Sequence, residues 1–585
     1  MPCTPRLLAL SCLAFVGWLS APVNIGPARL LRATWQTQES EQLGARALVR
    51  ELERLDTRTN PGFDPLSEGN HLNRCMECAV QEDSRSAPRS LGTLSGKQLF
   101  VDDFLVESTQ NVRRYLETPI DDGQEVLRRS EAWEDGWFGF PGSINHNGSH
   151  FVMHYRAHGP GDGADPYAEA QLGVAVSPDG ERWTKQLIKA TFHINRGGEA
   201  CVLLDRWETD PRHRYKMAYA CHEPRVHVCM ATSPDGVTFT DYGHKWGRAA
   251  DTNPCLYRDR PDVYELLTRR DFATQKYWRD IRGTQQLAIS SETFDRELLV
   301  EGTTMNFTRT SEWYFDGSFG KLEPYRRVPY AHTRTYYEGV FLGVTHVLEW
   351  PNHSDPHGGA SVGLAEATRK FWHSSAGSLV APRLQEQDVL QPYLTTSRDG
   401  VHYDFRWIHE EKPLELIGNQ SYGLVQPASQ ILTRDGFHWL FYTGNPAKHS
   451  ERWSGEEHVY LARWPQDRLS GFTLENTLVP FGTLTTKSFK LPEIADTLVL
   501  NVHVPEAAVC HVQLLSGSSI INLATIYPQR EGNEVCANLG AVNSRSHRIG
   551  DVRLRFVMRG GVRLYAMTFT EAIQRPALCT IGVAN

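Results

Sequence analysis

The chain has 585 residues, 40% of them hydrophobic and 22% charged, with a formal net charge of −8 at pH 7. This is the composition of an ordinary soluble globular protein of about two or three domains, and its interspersed, mildly acidic charge argues against a nucleic-acid partner. The supply of 15 Trp, 21 Tyr and 24 Phe serves either strand cores or the stacking platforms of sugar-binding clefts.

At the amino terminus Arg6 precedes an apolar run from Leu7 to Val23. Residues 1–28 read as a secretory signal peptide or, if uncleaved, a signal anchor, which is the one route to a membrane. The expected location is therefore secreted or within the secretory lumen. Sequons at Asn147, Asn306, Asn352 and Asn419 agree with a glycoprotein. Residues 29–94 are polar; Gln36 to Asp56 suits one amphipathic helix and the remainder reads as poorly ordered linker. Of the 11 Cys, Cys3 and Cys12 fall in the targeting segment, and the odd remainder requires a free thiol or an intermolecular bond. Cys75 and Cys78 form a lone C-x-x-C without the second pair a zinc site needs. Cys221 and Cys229 flank a strand reversal and could pair across it.

A phrase then recurs. It reads S-P-D-G-E-R-W at Ser177–Trp183, S-P-D-G-V-T-F at Ser233–Phe239 and S-R-D-G-V-H-Y at Ser397–Tyr403, with a worn copy, S-S-E-T-F, at Ser290. The starts at 177, 233 and 290 are 56 and 57 residues apart, a period that marks one supersecondary unit used repeatedly. Asp-Gly between apolar runs signals a hairpin, because Gly supplies the positive φ such turns require. The following aromatic should pack between neighbouring units. Five units are read, at Trp133–Trp183, Glu199–Phe239, Asp251–Phe294, Tyr325–Tyr403 (with an insertion near Trp350–Leu390) and Tyr422–Trp464. They predict a five-bladed β-propeller over residues 95–478. From 479 to 585 the texture becomes period-two alternation, as in Thr497–Val504, Val509–Leu515 and Val552–Met558, which predicts a β-sandwich. The fold class is all-β.

These residues resemble a known group. A propeller followed by a sandwich resembles the glycoside hydrolase family 32/43 superfamily, the invertase, levanase and arabinanase relatives. The opening L-F-V-D-D-F-L-V-E (Leu99–Glu107), the segment D-T-N-P-C-L-Y-R-D (Asp251–Asp259), L-T-T-K (Leu484–Lys487) and L-R-F-V-M (Leu554–Met558) are similar to a family-32-like group of secreted bacterial proteins. The resemblance spans roughly residues 95–575 and implies an oligo- or polysaccharide partner and no cofactor. It implies paired carboxyl groups at the starts of innermost strands, one as acid and one as base or nucleophile, with a third stabilising the oxocarbenium-like transition state.

On that pattern Glu199 and Asp251, which open the second and third inner strands, are the candidate catalytic carboxylates, and Asp103 is the candidate third. Each has a plainer role as a turn-capping or surface acid. Trp137, Arg156, Asn253, Arg270 and Tyr325 are the candidate substrate contacts, by stacking or by forked hydrogen bonds. The first inner strand departs from pattern: relatives carry an Asp there, and this chain has Phe140 before Pro141. The alternative is therefore a non-catalytic carbohydrate-binding propeller, and a third reading is a protein-interaction propeller with an apolar rim. His146, His150, His154 and His158 recur every four residues, but on a strand they span too far to grip one ion. No metal is expected.

Overall fold

The computed structural model describes residues 90–135, 137–158, 170–190, 200–222, 226–246, 254–272, 281–298, 304–313, 327–349, 389–416, 423–445, 457–493, 495–528, 534–539, 550–570 and 580–581. Compactness divides the chain into residues 1–68 and 69–585, and every described residue belongs to the second unit. The expected signal segment, the linker helix, the Cys75–Cys78 pair and the insertion near Trp350 lie outside the described residues.

The described chain is mostly β. A first sheet is an antiparallel meander of Trp137–His146, Phe151–His158, Ala170–Ser177 and Thr184–Leu187. A second runs through Ala200–Leu204, Tyr215–His222, Val226–Ser233 and Thr238–Trp246. The third comprises Cys255–Arg260, Val263–Phe272, Ile281–Ser290 and Thr308–Trp313. A nine-stranded sheet follows, in which Arg327–Tyr337, Val340–Glu349 and Val389–Ser397 form one meander and Leu424–Pro427, Phe437–Asn445 and His458–Pro465 another. The two meanders meet through one parallel pairing, Leu390 with Leu424.

The repeated phrase folds as its chemistry requires. Ser177, Ser233 and Ser397 accept through Oγ from the amides of Gly180, Gly236 and Gly400 at 2.8, 2.9 and 2.9 Å. Asp235 Oδ1 accepts from Val237 and Thr238 at 2.8 and 2.7 Å, and Asp179 and Asp399 do the same in their turns. The three glycines sit at φ of 79°, 77° and 76°, where a Cβ is strained. The aromatic after each turn crosses to a neighbouring sheet. Trp183 meets Phe441, Phe239 meets His154, and Tyr403 meets Trp313. The worn copy at Ser290 departs from the expected turn: lacking Asp-Gly, it forms a helix, Ser291–Leu298, that buries Phe294 and Leu298 on one face. Phe294 stacks on Tyr264 of its own sheet with centroids 4.1 Å apart, and it shares a buried cluster with Met230 and Trp246 of the second sheet.

Side-chain links join the sheets in a ring. Asn145 donates to the Val202 carbonyl at 2.8 Å, and Ser143 Oγ accepts from the Val202 amide at 3.0 Å. A disulfide, Cys201–Cys255, joins the first strands of the second and third sheets with Cα atoms 5.0 Å apart. Buried Asp205 takes Lys216 Nζ and Arg258 Nη1, each at 2.9 Å, and the Tyr264 hydroxyl. Burial raises its pKa, but Lys216, Tyr264 and Arg258 outweigh burial and hold it below the usual carboxylate range. Arg334 bonds Asp259, at 2.9 Å, and Glu265 across the third and nine-stranded sheets. Thr335 exchanges hydrogen bonds with Ile431 at 2.9 and 2.8 Å, and Ser429 Oγ accepts from the Ile144 amide at 3.3 Å, which returns the ring to the first sheet. Tyr257 donates across to the Ser429 carbonyl at 2.8 Å.

Two further sheets share one apolar core. Phe472, Leu498, Leu500, Leu564 and Met567 come from one sheet and Leu484, Val512, Leu514, Leu554 and Phe556 from the other. The strands Lys97–Leu99, Val106–Gln110, Val112–Leu116 and Ser470–Leu474 pair into these sheets. The boundary read at residue 478 assigns those segments to the repeats; strand pairing assigns them to the C-terminal sheets. Pairing of the three N-terminal segments over about 350 to 470 residues leaves no local signature. Cys510, buried in that core, is a free thiol among the described residues, whereas Cys221 and Cys229 are paired as expected.

Two stability predictions follow from these contacts. Cys201→Ser or Cys255→Ser is expected to cost about 2–4 kcal/mol, the usual weight of a native disulfide, read as a lower denaturation midpoint. Burial also depresses four histidines, His154 and His438 to about 4 and His332 and His346 to about 3. The unfolded chain, with histidine near 6.5, binds more protons between that value and the folded pKa values, so stability rises with pH there. Urea midpoints should fall as pH drops from about 7 to 4, and His346→Asn should flatten that slope.

Candidate functional site

In each meander the first strand starts beside the end of the second, which defines a start rim for that sheet. The Asp-Gly turns lie at the opposite rim of their own sheets. Glu199 directly precedes Ala200, where the second sheet begins, and Asp251 and Asn253 precede Cys255, where the third begins. Tyr325 likewise precedes Arg327. Glu199, Asp251, Asn253 and Tyr325 themselves lie outside the described residues. Trp137 and Arg270 belong to rim ends of strands, and their side chains are also outside the described set. Arg156 lies in Phe151–His158, opposite Gly139, and is buried.

Asp103 is placed elsewhere. It follows Lys97–Leu99 at the opposite rim, with its side chain 61% exposed, 3.3 Å from Arg406 and 3.9 Å from Arg114. Its neighbour Asp102 holds Arg398 of the S-R-D-G turn at 2.8 Å. The exposed Asp103–Arg406 pair contributes little energy, whereas Asp102 and Arg398 are largely buried. The adjacent acids of the opening phrase therefore clasp a turn, and the sequence position that suggested a third channel carboxylate is explained by that contact.

The start-of-strand rim is unusually polar for a strand interior. Arg269, buried in Val263–Phe272, lies with Cζ 5.0 Å over the Tyr330 ring. Thr268, Thr284 and Gln285 are buried beside it along the same two strands. The Tyr393 hydroxyl donates to Glu349 at 2.5 Å. His346 is buried, with neither ring nitrogen hydrogen-bonded among the described residues. At the first sheet, Glu457 is 2% exposed and its carboxylate occupies the space a Cβ at Gly139 would need. His458 stands 3.3 Å from Glu125.

Glu457 escaped the sequence reading. It lies in the fifth unit, in G-E-E-H before an apolar strand, so nothing local ties it to the first inner strand. The signal was Gly139 itself, a glycine inside a strand, which marks close approach by another group. The carboxylate sits one residue from Phe140. Gly139→Ala is expected to displace Glu457 and lower stability by about 1–3 kcal/mol, the usual weight of overpacking, measured by thermal unfolding beside wild type.

Solved structures complete the picture. The chain is similar to glycoside hydrolases of families 43 and 32. A family 43 arabinoxylan arabinofuranohydrolase from Bacillus subtilis, solved with cellotetraose, shares 10% identity over 77% of this chain and 99% of its own, with a TM-score of 0.31. An exo-β-1,3-galactanase from Phanerochaete chrysosporium shares 10% over 77% and 100%, with a TM-score of 0.32. A family 32 β-fructofuranosidase from Bombyx mori shares 11% over 77% and 94%, with a TM-score of 0.33. At these scores the likeness assigns no residue and no activity. No protein-family model and no curated protein matches the sequence.

Proposed function

We propose that this chain is a secreted glycoside hydrolase whose catalytic carboxylates are Glu199 and Asp251, at the mouth of a five-bladed propeller joined to a β-sandwich. The observation that carries the reading is the Cys201–Cys255 disulfide, which ties together the two strands that begin just after these acids. The ring of links from Asn145 through Arg334 to Ser429 supports closure, with the nine-stranded sheet read as two blades fused at Leu390 and Leu424. The two disulfides among the described residues suit an oxidising compartment.

One carboxyl would protonate the leaving oxygen while the other attacks the anomeric carbon or activates water, and their spacing would set retention or inversion. Buried Arg156 and Arg269 would supply donors to the sugar. The reading excludes Asp103, whose ion pairs hold it at the other rim.

The competing reading is a carbohydrate-binding propeller that has lost its chemistry, and Phe140 in the first inner strand favours it. Full-length protein screened on a glycan panel, following both binding and reducing-sugar release, separates the two. Turnover supports the hydrolase; binding without turnover supports the lectin-like form.

A further inference from the structure

A second site lies away from that mouth. A cavity of about 400 Å³ opens between the N-terminal strand Lys97–Leu99, which belongs to the C-terminal sheets, and the hairpin tip Glu338–Gly339 of the nine-stranded sheet. Lys97, Gln98, Phe104, Glu338, Gly339 and Arg398 line it. Its size falls within the ordinary range of small-ligand sites, which favour seams between packed modules.

The lining chemistry restricts the occupant. Both cations are already neutralised and held in place: Lys97 by Asp467 at 2.8 Å, and Arg398 by Asp102 at 2.8 Å and the Leu99 carbonyl at 3.0 Å. Each keeps spare N–H donors, since an ammonium has three and a guanidinium five. Glu338 is exposed at the turn, at φ 47°, and its carboxylate has no hydrogen-bond partner among the described residues. Phe104 is 39% exposed, with Arg398 Cζ 4.6 Å and Lys487 Nζ 5.8 Å from its centroid. A Cβ at Gly339 would meet open space.

An anionic ligand would face the Glu338 carboxylate, and a cationic one would face Lys97 and Arg398. Hydroxyl groups satisfy both, because each donates and accepts. A sugar ring also presents a C–H surface to an aromatic side chain such as Phe104. We propose that this seam binds a neutral saccharide segment, apart from the strand-start rim and independently of whether that rim hydrolyses anything.

The test is a calorimetric titration of the full chain with neutral oligosaccharides, cellotetraose and β-1,3-galactotriose as probes, beside a galacturonate trisaccharide. It is run in wild type, Phe104→Ala and Glu338→Ala, with thermal melts to establish folding; Glu338, on an exposed turn, provides the variant least able to disturb the fold. The proposal expects a neutral probe to bind wild type, and each seam variant to bind about tenfold more weakly or worse. It is overturned if neither neutral probe binds at millimolar concentration, if the seam variants bind as wild type does, or if galacturonate binds more tightly than the neutral probes. Seam-dependent binding without turnover anywhere would sink the hydrolase reading and leave this one standing.

Discussion

Arg334→Met is expected to destabilise the protein by about 3–5 kcal/mol, the cost of breaking a buried ion pair by removing one partner. The Arg334 side chain is wholly buried, Glu265 is 9% exposed and Asp259 16%. Removing the guanidinium would leave Glu265 facing Gln286, and Asp259 beside it, with no cation to offset their desolvation. Other junctions carry larger apolar clusters: Phe138, Phe151, Trp439 and Phe441 form one and Met230, Leu256, Leu266 and Phe294 another. At the junction of the third sheet with Arg327–Tyr337, where Trp313 packs on His332 and Tyr403, this network is the buried ionic contact, so its loss should be felt in global unfolding. Methionine keeps much of the volume, so the measured change reports charge rather than cavity. Guanidinium-induced unfolding of Arg334→Met and of the triple variant Arg334→Met, Glu265→Gln, Asp259→Asn separates the terms. The triple variant should recover most of the loss; if the single variant unfolds within about 1 kcal/mol of wild type, the network is not what joins these sheets.

Asp251→Asn and Glu199→Gln carry the other large effect. On any glycan the wild type cleaves, each is expected to lower kcat by roughly 10²–10⁴-fold, the usual weight of a general acid or base, with little change in KM. Both replacements keep shape and remove the titrating carboxyl, so a folded, substrate-binding and inactive protein is the expected phenotype. The pH–rate profile should lose one limb in each variant, since each removes one of the two ionisations. Retained activity in either variant would remove that residue from the chemistry. Asp103→Asn should leave kcat unchanged, because Asp103 pairs with Arg406 at the opposite rim.

Much of the architecture was legible because its signals are local. The Asp-Gly turns at Gly180, Gly236 and Gly400 announce themselves through a positive φ and a serine three residues back. Trp183, Phe239 and Tyr403 could be assigned to sheet junctions because they follow those turns at fixed offsets. The Cys221–Cys229 pair was readable because its strands are joined by a short reversal. The worn repeat misled, since loss of Asp-Gly let Ser291–Leu298 wind as a helix whose Phe294 stacks within its own sheet.

Sequence by itself determined the β character and the repeating turn chemistry. Tertiary structure alone decided that Lys97–Leu116 joins the C-terminal sheets, that Cys201 pairs with Cys255, that Glu457 packs on Gly139 and that Asp103 belongs to a surface clasp. The physical reason is range. A turn's φ preference and a strand's alternation act within a few residues, whereas the partner of a buried charge, thiol or strand edge is chosen by whichever group the packed chain brings to it, here across as many as 471 residues, from Lys97 to Thr568.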